Sequence, residues 1–373
     1  MDDGRLFIGL MSGTSLDGID GVLVDLAPAD GRPLAVLAHE HAPFEPALRA
    51  ELLALNASGA DELARAALAG NALARANAAV VERLLAQAGI ERGAVRAVGS
   101  HGQTVRHRPG AVDGVGYTLQ VDNPALLAEL CGIDVVADFR RRDLAAGGQG
   151  APLVPAFHRE LFARPGETVV VLNLGGIANL SVLGADATTG FDCGPGNALL
   201  DHWCERHTGA AFDDQGRWAA SGRVDAALLA ALLAEPFLAL VPPKSTGRDL
   251  FHPGWLAPRL AAHALARPED VQATLAEFTA RCVADAMHRH APRARRLVVC
   301  GGGAYNTDLL RRLSAALPAL AVLTSDACGL LPLQVEAAAF AWLAARCLAR
   351  EPGNLPAVTG AAGPRVLGAL YPR

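Results

Sequence analysis

The apolar run Ile8 to Met11 breaks into Ser12-Gly13-Thr14-Ser15-Leu16-Asp17-Gly18-Ile19-Asp20 and resumes from Gly21 to Leu26; the run Val169 to Leu174 breaks at Gly175-Gly176 and resumes from Ala178 to Leu183. A chain whose halves each open as strand, glycine turn, strand is committed to sheets folded on tight hairpins. Helical periodicity follows each opening, over Pro46 to Leu55 and Asp61 to Ala88 in the first half, and over Gly196 to His207, Val224 to Ala234 and Glu269 to His290 in the second. Further strands are expected over Leu34 to His39, Ala94 to Ser100, Ile133 to Asp138 and Leu297 to Cys300, with a closing helix over Pro332 to Ala349. The alternation predicts an α/β protein, helices against sheets, and the paired openings read as a weak internal repeat of pattern.

Length and composition agree with two domains. The chain has 373 residues, 51% of them hydrophobic, enough for two separate cores. Arg140 to Pro155, rich in Gly and Pro, reads as a loop crossing between lobes, which sets the expected lobes at 1–145 and 146–373, with the last helix or tail free to pack back on the first. A net charge of -5 without a basic tract argues against nucleic acid as a partner. The acidic start Met1-Asp2-Asp3 does not read as a signal peptide, and the apolar stretch Ala226 to Val241 is interrupted by Glu235 and Pro236, so a cytoplasmic protein that does not enter membranes is expected. Seven cysteines without a CxxC pair read as reduced, mostly buried thiols.

The first turn combines backbone donors, glycines at Gly13 and Gly18, and the hydroxyls of Thr14 and Ser15, which together form a candidate phosphate cradle. Asp17 and Asp20 would repel a bare phosphate, so they point to a bridging hard cation, Mg²⁺. Neither a G-x-x-x-x-G-K-[ST] loop nor a G-x-G-x-x-G after a strand is present, so a nucleotide needs other supports. Gly175-Gly176 and the run Gly301-Gly302-Gly303, which follows the strand ending at Cys300, are the candidates.

Hairpin phosphate loops in two lobes with a distal glycine turn resemble the two-lobed, ribonuclease H-like fold of the actin, heat-shock chaperone and sugar-kinase ATPases, with the active site in the inter-lobe cleft. Within that superfamily the strings GLMSGTSLDGID, SHGQTVRHRP, DFRRRDLAAGGQGAPLVP, LNLGGIANLS, GFDCGPGN and EAAAFAWLA are similar to those of the anhydro-N-acetylmuramic acid kinases. The resemblance implies an ATP-dependent enzyme that opens the 1,6-anhydro ring of its amino sugar with water and phosphorylates O6 in cell-wall recycling, acting as a homodimer. It also points to Asp192 of GFDCGPGN as the base for that water, a role suited to a carboxylate presented by the rigid turn Gly194-Pro195-Gly196.

Gln103, at a strand end, is the candidate for sugar hydroxyls, and Arg140 the bidentate grip for the substrate's lactyl carboxylate. Glu336, inside an apolar helix, reads equally as a substrate contact or an N-terminal helix charge. Lys244 and Arg248 read as phosphate contacts or loop caps, and His101 as a packing or capping residue in preference to a metal pair with His107. The family pattern expects glycine before an aspartate where this chain has Val121-Asp122. Two other readings fit the spacing: phosphorylation of a free sugar hydroxyl, and a nucleotide-regulated binding protein.

Overall fold

The computed structural model describes residues 4–13, 16–247, 250–261, 263 and 267–373; Thr14, Ser15 and Arg248 lie outside the described residues. Its strands are β1 (Leu6–Met11), β2 (Gly18–Asp25), β3 (Ala35–Pro43), β4 (Val95–Ser100), β5 (Gln103–Pro109), β6 (Gly116–Val121), β7 (Val135–Ala137), β8 (Val169–Leu174), β9 (Ile177–Leu183), β10 (Thr188–Pro195), β11 (Arg296–Cys300), β12 (Ala321–Thr324) and β13 (Ala369–Tyr371). They form two sheets, ordered β13-β7-β4-β1-β2-β3 and β10-β9-β8-β11-β12, and a separate ribbon β5-β6.

In the first sheet β3, β2 and β1 run antiparallel, and β1, β4 and β7 parallel. In the second, β10, β9 and β8 run antiparallel, and β8, β11 and β12 parallel. The sheets are therefore built twice on one plan, and the weak repeat seen in the sequence is a repeat of topology. A parallel neighbour requires a crossover. The helix Glu62–Ala88 supplies the one from β3 to β4, burying Leu73, Val80, Val81 and Leu84 and ending on the left-handed Gly89.

The chain divides into two compact units, Met1–Leu161 with Leu333–Arg373, and Phe162–Pro332. The boundary falls after the glycine-rich loop instead of within it, because Arg141–Ala145 forms a helical turn and the loop folds back on residues of the first unit. The closing helix Val335–Leu348 belongs to the first unit for a steric reason. Gly9 of β1 and Gly99 of β4 are register partners, and a Cβ on either would stand 1.8 Å from Ala337 O and 2.1 Å from Phe340 O. Two adjacent strands without side chains make a flat patch on which the alanine-rich helix lies at backbone contact, burying Ala337, Ala338, Ala341 and Ala344.

Each sheet has its own apolar core, one around Ile8, Leu23, Leu73 and Val98, the other around Val170, Leu172, Leu180, Val283 and Leu297. A satellite cluster in the second unit gathers Trp203, Phe237, Phe251, Trp255 and Phe278. Five of the seven cysteines are buried and all seven are free thiols. Among the described residues no helix is long and apolar enough to cross a membrane.

Candidate active site

In the first unit the turn after β1 is held from behind by the segment that follows β4. Ser12 Oγ donates to Gly102 O at 3.0 Å, and Gln103 Nε2 donates to Gly13 O at 3.1 Å. His101 links this turn to Arg140. The guanidinium can only donate, so with Arg140 Nε at 3.2 Å and Nη2 at 2.9 Å, His101 Nε2 is the acceptor. The ring proton then sits on Nδ1, which donates to Ser12 O at 3.2 Å. Burial, and then the Arg140 charge, push the His101 pKa down to about 3, which keeps the ring neutral as this arrangement requires. Both ring nitrogens are thus occupied, and His101 is a strut between turn and arginine.

The turn differs in detail from the cradle expected of it. Leu16 carries a positive φ of 56° and spends its N–H on Gly13 O at 3.2 Å, so its amide is not a phosphate donor. Gly18 is needed for another reason: a Cβ there would lie 2.3 Å from Ala42 O of β3. Ile19 is a core side chain, 1% exposed. Asp17 is exposed and Asp20 half-buried. Asp20 stands opposite His41 in the β2–β3 register and accepts from its Nδ1 at 2.9 Å. Burial alone would raise the Asp20 pKa, but bonds from and charges on His39 and His41 outweigh it and hold the carboxyl below its ordinary value; the same hydrogen bond raises His41.

Arg140 donates from Nη1 to Gly150 O at 2.9 Å. Burial lowers its pKa to about 10 against the favourable charges of Glu336 and Asp143, so it remains a cation at neutral pH. Glu336, in the first turn of its helix, is thereby placed in the electrostatic neighbourhood of Arg140. Gln103 is 1% exposed, and its Oε1 is a buried acceptor with no partner in the protein, as expected of a side chain waiting for a ligand donor. Asp122 accepts from Ser100 Oγ at 2.7 Å and from Asn123 N at 2.9 Å, so this departure from the family pattern has a structural use.

In the second unit three glycine segments converge on Asn197. Asn197 N–H donates to Gly175 O at 2.8 Å and its Nδ2 to Leu174 O at 3.0 Å, while Gly196 N–H donates to Gly176 O at 3.0 Å. A Cβ on Gly303 would stand 2.6 Å from Leu174 Cβ and 3.1 Å from Asn197 Oδ1; one on Gly301, at φ 78°, would stand 2.4 Å from Asn173 Oδ1. These two glycines are demanded by packing. Gly175, Gly176 and Gly302 are not, since a Cβ would find nothing nearer than 3.8 Å, 3.7 Å and 4.0 Å. Open space over a hairpin turn and over the residue after a strand is where a phosphate and a nucleoside can approach the backbone. Gly175→Ala is therefore expected to leave Tm within about 2 °C of the parent while raising KM for ATP severalfold, by thermal melting and initial rates. A matching loss of Tm would mean the glycine serves the fold.

Asp192 lies on β10, the edge strand, where the register against β9 slips between Asp192 and Gly194. The expected turn at Gly194-Pro195 is this bulge and the strand end after it, and a bulge re-aims the side chain beside it. The edge is covered by residues 244–246: Asp192 N–H donates to Lys244 O at 3.1 Å, and Thr246 N–H to Asp192 Oδ2 at 2.8 Å. Burial raises the Asp192 pKa to about 7 even though that amide and the Lys244 charge oppose it, a value matched to proton abstraction near neutrality. Lys244 itself is buried, donates to the carbonyls of Phe237 and Leu238 at 3.2 Å each, and lies over the Phe237 ring at 4.8 Å. It caps carbonyls and biases Asp192 without presenting its ammonium to a phosphate.

Asn197 and Asp143 escaped the sequence reading. Asn197 carried a local signal, an Asn closing the glycine turn before a helix. Asp143, inside an arginine run, carried none, because its partners Asn354 and Thr359 are far away in the chain.

Two sheets of order 3-2-1-4-5, each led by a hairpin with an open turn, define the actin-like class of two-lobed ATPases and sugar kinases. The chain belongs to the anhydro-N-acetylmuramic acid kinase family, whose profile matches residues 5–373. It is 64% identical to the enzyme so named from Variovorax paradoxus (strain S110) and 60% identical to that from Cupriavidus pinatubonensis (strain JMP 134 / LMG 1197), in each case over 99% of both chains. Among solved structures it is similar to the activator of the 2-hydroxyisocaproyl-CoA dehydratase from Clostridium difficile with bound ADPNP, at 13% identity and TM-score 0.48, covering 90% of this chain and 92% of that one.

Proposed function

We propose that this kinase uses ATP and water to convert 1,6-anhydro-N-acetylmuramic acid into N-acetylmuramic acid 6-phosphate and ADP in cell-wall recycling, with Asp192 as the base. The observation that carries the reading is Asp192 on its bulge, with a pKa near 7 and its Oδ2 oriented by the Thr246 amide. Asp192 takes a proton from water as the water oxygen bonds to C1. The C1–O6 bond of the bridge breaks, O6 bonds to the γ-phosphorus, and the bond from that phosphorus to the β–γ bridging oxygen breaks to release ADP. The open turns at Gly175-Gly176 and Gly302 receive nucleotide, with Gly301, Gly303 and Asn197 shaping them; Gly13 and its turn serve the phosphates from the first unit.

Gln103 Oε1 accepts from a sugar hydroxyl, and Arg140 binds the lactyl carboxylate with Glu336 beside it. The ionised Asp20 and exposed Asp17 fit Mg²⁺, a hard cation that keeps several waters and needs only one or two protein carboxylates. When bound, Mg²⁺ neutralises phosphate charge. The proposed setting is the cytoplasm, with neither nucleic acid nor membrane as partner and a homodimer as the assembly; a monomer mass by light scattering at micromolar concentration would refute the dimer.

The test is ADP release with and without the anhydro sugar, in ¹⁸O-water and with or without EDTA. Expected are sugar-dependent turnover, one label at the C1 hydroxyl, and loss of turnover with EDTA that added Mg²⁺ restores. ADP release indifferent to sugar, or product without label, would overturn the reaction.

A further inference from the structure

We infer that the C-terminal tail is a positioning element for the sugar site: Asn354 and Thr359, acting through Asp143, fix the Arg140 guanidinium in the plane that receives the substrate's carboxylate. This rests on the reading of Arg140 given above.

Asp143 is fully buried, and each of its oxygens has a defined task. Oδ1 accepts from Asn354 Nδ2 at 2.6 Å and from Thr359 Oγ1 at 2.8 Å; Oδ2 accepts from Gly150 N–H at 2.7 Å. The peptide unit that Asp143 holds by its N–H is followed by the carbonyl of the same glycine, and that carbonyl accepts from Arg140 Nη1 at 2.9 Å. Tail, carboxylate, loop glycine and arginine thus form one chain of hydrogen bonds. Backbone bonds close the loop on the tail on both sides, Gln149 N–H to Thr359 O at 2.8 Å and Ala362 N–H to Ala146 O at 2.8 Å.

The loop admits no slack. A Cβ on Gly148 would stand 2.2 Å from Asp143 Oδ2, and one on Gly150, at φ 69°, would stand 2.2 Å from Leu144 Cδ1. Both glycines let the loop close tightly enough for Gly150 to meet Asp143 and Arg140 at once. A buried carboxylate without its donors is an uncompensated charge, so the tail's two side chains are what allow Asp143 to be there.

The consequence for Arg140 follows from its five N–H groups. One on Nε and one on Nη2 point at His101, and one on Nη1 at Gly150 O, which leaves one on each Nη for a ligand. Bidentate binding of a carboxylate depends on the orientation of the guanidinium plane. His101 pins one edge of that plane; the loop and tail pin the other.

The experiment measures KM for the sugar, KM for ATP and kcat for Thr359→Val, Asp143→Asn, Arg140→Ala and the double variant Thr359→Val/Arg140→Ala. Thr359→Val keeps the shape of the side chain and removes one donor. It is expected to raise the sugar KM about tenfold and leave the ATP KM unchanged, with a larger effect in Asp143→Asn. In the Arg140→Ala background Thr359→Val is expected to add nothing, since an element acting through Arg140 has no route left. If Asp143→Asn does not fold, Thr359→Val and the double variant decide. Additive effects in the double variant, equal rises in both KM values, or an unchanged sugar KM in Thr359→Val would overturn the positioning role. An unchanged sugar KM in Arg140→Ala would instead overturn the carboxylate-binding role of the arginine itself.

Discussion

Asp192→Asn is expected to lower kcat for sugar-dependent ADP release by about 10² to 10⁴-fold, the range that general-base catalysis contributes, with nucleotide affinity unchanged. The substitution keeps the side chain's volume and leaves an oxygen to accept from Thr246 N–H, so its effect is on proton transfer. The pH dependence gives an independent reading. A base works deprotonated, and with a pKa of about 7 the parent's kcat/KM should fall tenfold per unit below that value and level off above it.

Stability should move the other way. Between the ordinary value of 3.8 and about 7, folded Asp192 holds a proton that the unfolded chain has released, so this group's contribution to stability declines as pH rises through that window. Above pH 7 the parent carries a buried charge that the asparagine variant lacks. The variant should therefore melt at or above the parent temperature at pH 8 while being nearly inactive. A variant that loses activity and stability together, or a parent whose kcat/KM is flat from pH 5 to 8, would show that Asp192 is structural.

Gly9→Ala is expected to produce the largest loss of stability of any single methyl added to the chain. The new Cβ would stand 1.8 Å from Ala337 O and 2.7 Å from Ala341 N, backbone atoms that move only if the whole helix Val335–Leu348 lifts from β1. Overpacking against flexible side chains costs about 1 to 3 kcal/mol; against a helix backbone the upper end or more applies, which corresponds to a fall in Tm of about 10 °C. Thermal melting decides it. A shift under about 2 °C would mean the helix does not rest on the glycine patch, and the assignment of residues after Leu333 to the first unit would fall with it.

How much of this was legible beforehand differs between features. Strands, helices and hairpins were readable because each is written locally, in apolar runs, helical periodicity and glycine breaks. The repeat of topology was only faintly readable, since strand order depends on which strands pair. Asp192 could be picked out by its motif, but its raised pKa could not, because that comes from burial beneath residues 244–246. The glycines of the first turn show the same limit. Gly18 and the open turn glycines look alike in sequence, yet one answers to Ala42 on a neighbouring strand and the others to nothing in the protein.

By itself, then, the sequence determined the alternation of strands and helices, the places where the backbone turns on glycine, and the residue types able to perform the chemistry. These depend on neighbours within a few positions. The tertiary structure alone decided that the final helix joins the first unit, that Asn197 gathers three glycine segments, and that Asp143 ties the arginine loop to the tail. Each of those needs partners brought together by strand pairing: Gly9 beside Gly99, Leu174 beside Asn197, and Asp143 beside Thr359, 216 positions along the chain. Burial then fixes which polar groups must be satisfied there, and no local pattern records it.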